Sequence, residues 1–400
     1  MTDFVAMSED ITSSSISQPF QFTPPVSTDA PDLSMVPENR VDGDAKANEA
    51  HLRLREQIMS SNLTNSFSVF DVDSLPQRHL LKIDIPSKKN QDRGRHWVLG
   101  AGGGQASIGV YAVADGHGRR GDSLAESVMC ILHAALTGDS SGGEAAMWAA
   151  EDLTEPLQEL FLKVEQECTT LFGDCDGGAT LSVCVDRPGM DLWVAHVGDS
   201  DVCLVDLSPA ARQATMLTED HSPLNMDEFL RMVVLCPSAK FEYDRQRKDA
   251  PHLPIFAPSP LDPCGWKKNP APTRNVYYKN RANDLATYVS EGGGYSSLAN
   301  TRAIGDFRMK RAVGLSARPF IAKHAALTSS QRLVVASDGF WDSWPTGELL
   351  QFCEEHRDFG AVVAALERSH VTTTNKYFGS CSDDTLLYFV QPSEPTPSTC

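Results

Sequence analysis

The sequence predicts an α+β protein whose core is antiparallel sheet, and three observations carry that expectation. Between Gly177 and Thr218, four apolar runs (ATLSVCV, DLWVAHV, DVCLVDL and QATMLT) follow one another through short turns such as Arg187-Pro188-Gly189. Strands linked this closely pair antiparallel, unlike the alternating strands and helices of a doubly wound sheet. Apolar residues at three- and four-residue intervals mark helices in pairs, 123–136 with 144–171 and 346–355 with 359–369. Finally, three apolar strands each run into an aspartate: GVYAVADGHG at Asp115, LWVAHVGDS at Asp199 and LVVASDG at Asp338.

Taken in order, residues 1–63 are rich in Ser, Thr, Pro and Asp and read as a disordered tail, with a short helix near 49–58. The pattern changes at Ser66, where SFSVFDVD and then HLLKIDI alternate as strands. Lys82, Lys88, Lys89, Arg93 and Arg95 crowd into one short stretch before the strand 96–100. Such a cluster is a solvated turn or a seat for a phosphate oxyanion. After the strand block, Met226 to Leu235 reads as a short amphipathic helix. Pro237 to Gly294 then forms an irregular excursion with scattered aromatics, either disordered or bordering a functional site. Order resumes with LANTRAIGD at 298–306, and the last apolar run, Thr385 to Val390, follows Asp383-Asp384.

Composition narrows the function classes. The 400 residues are 41% hydrophobic, enough for a sizeable core, and the net charge is −18. That balance argues against nucleic acid or an acidic membrane surface as partner. No apolar run is long enough to span a bilayer. The opening MTDFVAMSED lacks the charged start and apolar middle of a secretory signal. Ten cysteines without CxxC pairing suggest reduced thiols, hence a cytoplasmic and/or nuclear protein. Nothing marks an oligomer seam, so a monomer is expected.

The aspartates carry the chemistry. Asp115, Asp199 and Asp338 end strands, whereas Asp383 begins one. If the last strand lies antiparallel to the others, all these carboxylates converge. Each Asp-Gly pair taken alone is also a common turn. Carboxylates in contact raise one another's pKa unless a cation intervenes. An all-oxygen donor set favours magnesium or manganese over zinc or copper. Gly116, lacking Cβ, lets its carbonyl approach such an ion.

The motifs NQD (90–92), ADGHG (114–118), GGAT (177–180), VAHVGDS (194–200), LTEDHSP (217–223), LANTRAIGD (298–306), VVASDGFWD (334–342) and SDDTLL (382–387) resemble, in order, those of the metal-dependent protein serine/threonine phosphatases of type 2C. The resemblance covers about 66–390 and implies a four-layer α-β-β-α sandwich, two central antiparallel sheets flanked by helix pairs. On that reading 64–391 is the catalytic domain, 237–294 a long flap insertion and 392–400 a C-terminal tail.

The resemblance further implies two divalent cations, Mn2+ or Mg2+, with a weak third. Asp115 bridges the first two, the Gly116 carbonyl binds one, Asp338 and Asp383 complete the other, and Asp92 is a weaker or water-mediated ligand. Asp199 and Asp342 match carboxylates that hold the third ion, although Asp342 also reads as an acid at a helix N-terminus. Asp306 reads as capping or bracing a turn rather than touching metal. His117 is the expected general acid for a serine or threonine leaving group, after in-line attack by a metal-bridging hydroxide. Lys88 or Lys89 is expected to bind phosphate, with Arg119 at the cleft rim. Asp384 stands where asparagine is usual, so the metal ligand is Asp383 or Asp384, with Asp383 preferred. Phosphoproteins are the implied substrates. The alternative, a pseudophosphatase retained for protein binding, would be favoured by loss of an acid at 115, 338 or 383, and none is missing.

Overall fold

The computed structural model describes residues 77–83, 89–100, 107–137, 148, 150–173, 176–247, 249, 251–291, 297–378 and 385–392. The proposed tail helix near 49–58, the strand at 66–73, Lys88, Asp383 and Asp384 lie outside them. In chain order the strands of the first half are β1 (Gln77–Ile83), β2 (Arg93–Leu99), β3 (Ile108–Ala114), β4 (Gly116–His117), β5 (Gly178–Ala179), β6 (Leu181–Arg187), β7 (Asp191–Val197), β8 (Asp201–Asp206) and β9 (Gln213–Met216). The second half adds β10 (Lys240–Tyr243), β11 (Phe256–Pro258), β12 (Trp266–Lys268), β13 (Thr287–Ser290), β14 (Ser297–Leu298), β15 (Ile304–Gly305), β16 (Phe320–Ala325), β17 (Gln331–Ala336) and β18 (Thr385–Gln391). The helices are α1 (Gly121–Thr137), α2 (Thr154–Phe172), α3 (Met226–Leu235), α4 (Phe307–Val313), α5 (Asp338–Trp341), α6 (Thr346–Glu355) and α7 (Phe359–Phe378).

Two five-stranded antiparallel sheets form the centre, ordered β16-β7-β6-β3-β2 and β1-β18-β17-β8-β9. Strand alternation sorts the side chains into layers. Along β3, Val110, Ala112 and Ala114 pack with Leu124, Val128 and Leu132 of α1 and Leu157 and Phe161 of α2. Tyr111 and Val113, one residue out of phase, meet Leu333, Val335, Leu386 and Tyr388 of the opposite sheet. On β17 the same alternation turns Val334 and Ala336 toward Phe340, Leu349, Val362 and Leu366. The result is the expected α-β-β-α sandwich. A strand covered on both faces needs no polar side, which is why β3 reads as an unbroken apolar run. Each such buried side chain is worth roughly 1.5–3 kcal/mol, and a one-residue slip would exchange the faces, so the register is firmly set.

Two helices differ most from expectation. Residues 150–153 are not helical, so the single helix expected over 144–171 is interrupted and α2 begins at Thr154, and α7 continues to Phe378 beyond Ser369.

The larger departure is the excursion after Pro237. It is folded, with small sheets β10-β13-β14 and β11-β12 over its own core of Phe229, Met232, Phe241, Tyr243, Phe256 and Val289. Phe229 of α3 touches Phe241, Phe256 and Trp266 at ring separations of 4.9, 4.2 and 4.9 Å. Strands of two to four residues are too short to display a period, so only tertiary contact reveals them. Asn225 caps α3, accepting from the Asp227 and Glu228 amides.

Candidate active site

The mouth of the sandwich is built from turns that backbone pairing locks together. Asp115 leaves β3 with its amide donating to Thr180 Oγ1 at 3.1 Å, while the Thr180 amide donates to the Asp115 carbonyl at 2.9 Å. Gly116 and His117 then pair with Ala179 and Gly178, which pair in turn with Ile304 and Gly305. GGAT and AIGD are thus strands of one small sheet that carries the histidine. Its glycines are steric requirements. A Cβ on Gly116 would lie 2.3 Å from the Gly121 carbonyl oxygen, and one on Gly178 would lie 2.1 Å from Asp306 Oδ2.

That sheet delivers the central contact, His117 Nε2 at 2.7 Å from Asp306 Oδ2, with the aspartate 7% and the histidine 27% exposed. Asp306 adopts the left-handed conformation (φ 49°) at the start of α4 and makes no side-chain cap there. Its carboxylate instead serves the imidazole, a role that the turn-bracing reading missed. Burial alone would lower the His117 pKa. The charge and hydrogen bond of Asp306, then the charges of Asp199 and Asp338, outweigh burial and raise it above 6.5. Three acids from distant parts of the chain therefore act on one imidazole.

The expected antiparallel closure is present. Ser337, which precedes Asp338, exchanges hydrogen bonds with Leu386 near the start of β18: its amide donates to the Leu386 carbonyl, and its Oγ accepts from the Leu386 amide, both at 3.0 Å. The same hydroxyl donates to Asp92 Oδ2 at 2.7 Å, so Asp92, 1% exposed, joins Asp338 at the junction of β17 and β18. The NQD turn is seated against the histidine turn by Gln91 Nε2 donating to the Gly118 carbonyl at 2.9 Å.

The expected basic residues are less central. Lys89 is 75% exposed and pairs with Asp122 in the first turn of α1. Arg119 is 83% exposed at the surface, 3.8 Å from Asp176.

Asp199 lies on the turn after β7, where Gly198 takes φ 98° and a Cβ would strike Thr180. His221 fastens this turn. Its Nδ1 accepts from the Gly198 amide at 3.2 Å, and its ring stacks on His196 at 4.3 Å. LTEDHSP is thereby the brace of the Asp199 turn. Burial would raise Asp199, but Lys279 and then Asn300 and His117 hold it below the usual carboxylate range. Asp201 and Asp220, half-buried nearby, are pushed up, first by desolvation. Lys279, from the excursion, donates to Asp199 Oδ2 at 2.7 Å and faces the charges of Asp220, Asp338 and Asp342 as well. No sequence signal marked this lysine, because it sits in the unpatterned segment.

Asp342 ends α5, its amide donating to the Asp338 carbonyl at 2.8 Å. The helix N-terminal reading is therefore wrong: the residue stands at the end where the backbone partial charge is negative.

The acids gathered here, with the Gly116 carbonyl, offer only hard oxygen donors, and buried Asp220 Oδ1 has no hydrogen-bond partner among the described residues. That chemistry fits magnesium or manganese. Among the described residues, no three His, Cys, Asp or Glu side chains close into a metal-holding group.

Comparison with known proteins decides the family. The family model described as Protein phosphatase 2C matches residues 87–244 and 278–371, more than half of the chain. The chain belongs to the protein phosphatase 2C family. Its relatives include "Probable protein phosphatase 2C 72" of Arabidopsis thaliana, 26% identical over 65% of this chain and 68% of that protein. "Probable protein phosphatase 2C 35" of the same plant is 25% identical over 71% and 74%. The crystal structure of serine-threonine phosphatase 2C from Toxoplasma gondii superposes with a TM-score of 0.55 at 17% identity, over 80% of this chain and 96% of that one, a likeness of fold. Residues 245–277, which the family model does not match, fall within the excursion.

Proposed function

We propose that this protein serine/threonine phosphatase hydrolyses phosphoserine and phosphothreonine on proteins by direct water attack, without a phosphoenzyme. Asp115, the Gly116 carbonyl, Asp338 and Asp383 would hold two magnesium or manganese ions, with Asp92 assisting through water. Such ions lower the pKa of a shared water toward neutrality and offset phosphoryl charge.

The chain's own contribution begins with His117. A serine or threonine alkoxide is a poor leaving group, and a proton delivered from the imidazole to the departing oxygen lets it go. Asp306 keeps that imidazole oriented and favours its protonated form. Lys89 is engaged by Asp122, which leaves Lys88 the better choice for a phosphoryl oxygen. The observation that carries the reading is the His117–Asp306 pair at 2.7 Å, on which Asp199 and Asp338 also act.

Buried thiols at Cys184, Cys203 and Cys353 support a reducing cytoplasmic or nuclear setting. Among the described residues, no helix is long and apolar enough to cross a membrane.

The test is purified protein with manganese, assayed against an aryl phosphate and a phosphothreonine peptide, with and without chelator. Hydrolysis of both, abolished by chelator, is expected. Folded, manganese-loaded protein that cleaves neither refutes the proposal.

A further inference from the structure

The excursion sends one charged side chain into the acidic mouth. Lys279 Nζ lies 2.7 Å from Asp199 Oδ2, and its side chain is only 25% exposed. It emerges from a tight hairpin, with the Lys279 amide donating to the Asp284 carbonyl at 2.7 Å and the Ala286 amide to the Tyr277 carbonyl at 2.9 Å. Asn280 reinforces the hairpin through its side-chain amide, which donates to Asp284 Oδ2 at 2.8 Å. Two residues beyond Lys279, Arg281 fastens the hairpin to the loop that follows Asp338. Its amide donates to the Asp342 carbonyl at 3.0 Å and its guanidinium to the Ser343 carbonyl at 2.7 Å. The guanidinium also pairs with Glu348 at 2.9 Å and stacks on the Tyr377 ring at 3.8 Å.

The clamp therefore ties the hairpin to Asp342 through its backbone and to Asp199 through Lys279. The backbone is pinned on both sides of Lys279, which anchors the root of the side chain beside the mouth and keeps the ammonium within reach of Asp199. Asp199 and Asp342 are the carboxylates expected to share a weak third ion. A divalent cation entering between them would meet a fixed positive charge already bonded to one of them, and like charges at such range repel strongly.

We infer that Lys279 is a tethered cation that takes the place of a third divalent ion at Asp199 and Asp342, so that this phosphatase works with two ions and a lysine. The inference rests on the two-ion reading above and deepens it. Lys279 acts here as a positioning residue: it neutralises Asp199, one of the acids whose charge acts on His117, and it couples the seating of the hairpin to the acidic mouth.

Calorimetric titration of Mn2+ into metal-stripped full-length protein tests it. Wild type and Lys279→Arg are expected to take up two ions, and Lys279→Met to gain a third site at least tenfold tighter than any further binding to wild type. That added site should vanish in the Lys279→Met, Asp199→Asn double variant. Thermal unfolding supplies a second readout, with Lys279→Met less stable than wild type without manganese and regaining stability as the third site fills.

A wild type that binds three ions, or a Lys279→Met variant that binds only two, overturns the inference and leaves the phosphatase reading standing. A folded wild type that binds none overturns both. Should Lys279→Met fail to fold, acylation of wild-type lysines read by mass spectrometry still decides. Lys279 is expected to stay protected at every manganese concentration, and exposure on adding manganese overturns the inference.

Discussion

Replacing Asp306 by asparagine separates the proton donor from its counter-charge while leaving the turn intact. Asparagine is nearly isosteric and tolerates the left-handed conformation that Asp306 adopts at φ 49°, so the backbone leading into α4 should persist. What is lost is one charge-assisted hydrogen bond of 2.7 Å between groups 7% and 27% exposed. Such bonds are worth about 1.5–3 kcal/mol, and this exposure leaves most of that in place. Converted to rate, the loss is about tenfold to hundredfold in kcat, less than the roughly 10²–10⁴ that a general acid supplies when removed outright.

The loss should depend on the leaving group. A phosphothreonine peptide needs the proton and should show the full effect, whereas an aryl phosphate leaves readily and should change by less than about threefold. The assay is kcat at saturating manganese on both substrates, with thermal unfolding to confirm the fold. His117→Gln should show the same substrate bias, and the Asp306→Asn, His117→Gln double variant should lose little beyond His117→Gln alone, since the two residues act as one unit. Equal losses on both substrates, or full additivity in the double variant, would refute the assigned roles.

Three further outcomes are expected. Asp115→Asn and Asp338→Asn should each lose manganese binding and turnover together, and wild-type affinity by calorimetry in either would contradict the ligand assignment. Gly178→Ala places a Cβ 2.1 Å from Asp306 Oδ2 and 2.7 Å from His117 Nε2. It should cost about 1–3 kcal/mol of stability and depress phosphothreonine turnover, and an unchanged melting temperature and rate would show that the site has slack. Asp186 on β6 is buried, with Oδ1 lacking a partner among the described residues, and burial pushes its pKa up to about 7. Because the folded value exceeds the ordinary 3.8, stability is fully present below that value and falls as pH rises toward about 7. Asp186→Asn should flatten this slope and stabilise the protein above pH 7 by at most about 4 kcal/mol, at about 1.36 kcal/mol per pH unit. Parallel urea-unfolding profiles of variant and wild type from pH 4 to 8 would exclude the effect.

The sequence by itself determined the layers and the identity of most acids. Unbroken apolar runs mark strands covered on both faces, as at Tyr111, Val113 and Val335, and period-3.6 spacing marks helices with one buried face. Strand-ending aspartates were legible for the same reason, since a polar residue breaking an apolar run marks the end of an element. Tertiary structure alone decided how side chains pair across the mouth. The roles of Asp306 and Lys279 were not legible in the sequence: one sits at a turn before a short helix and the other in a hairpin loop without periodicity, and each takes its role from a partner 189 or 80 residues away. Such pairings follow from three-dimensional closure, which local spacing does not encode. The excursion teaches the same lesson, because aromatics such as Phe229, Phe241 and Phe256 become a core only when strands too short to announce themselves bring them together.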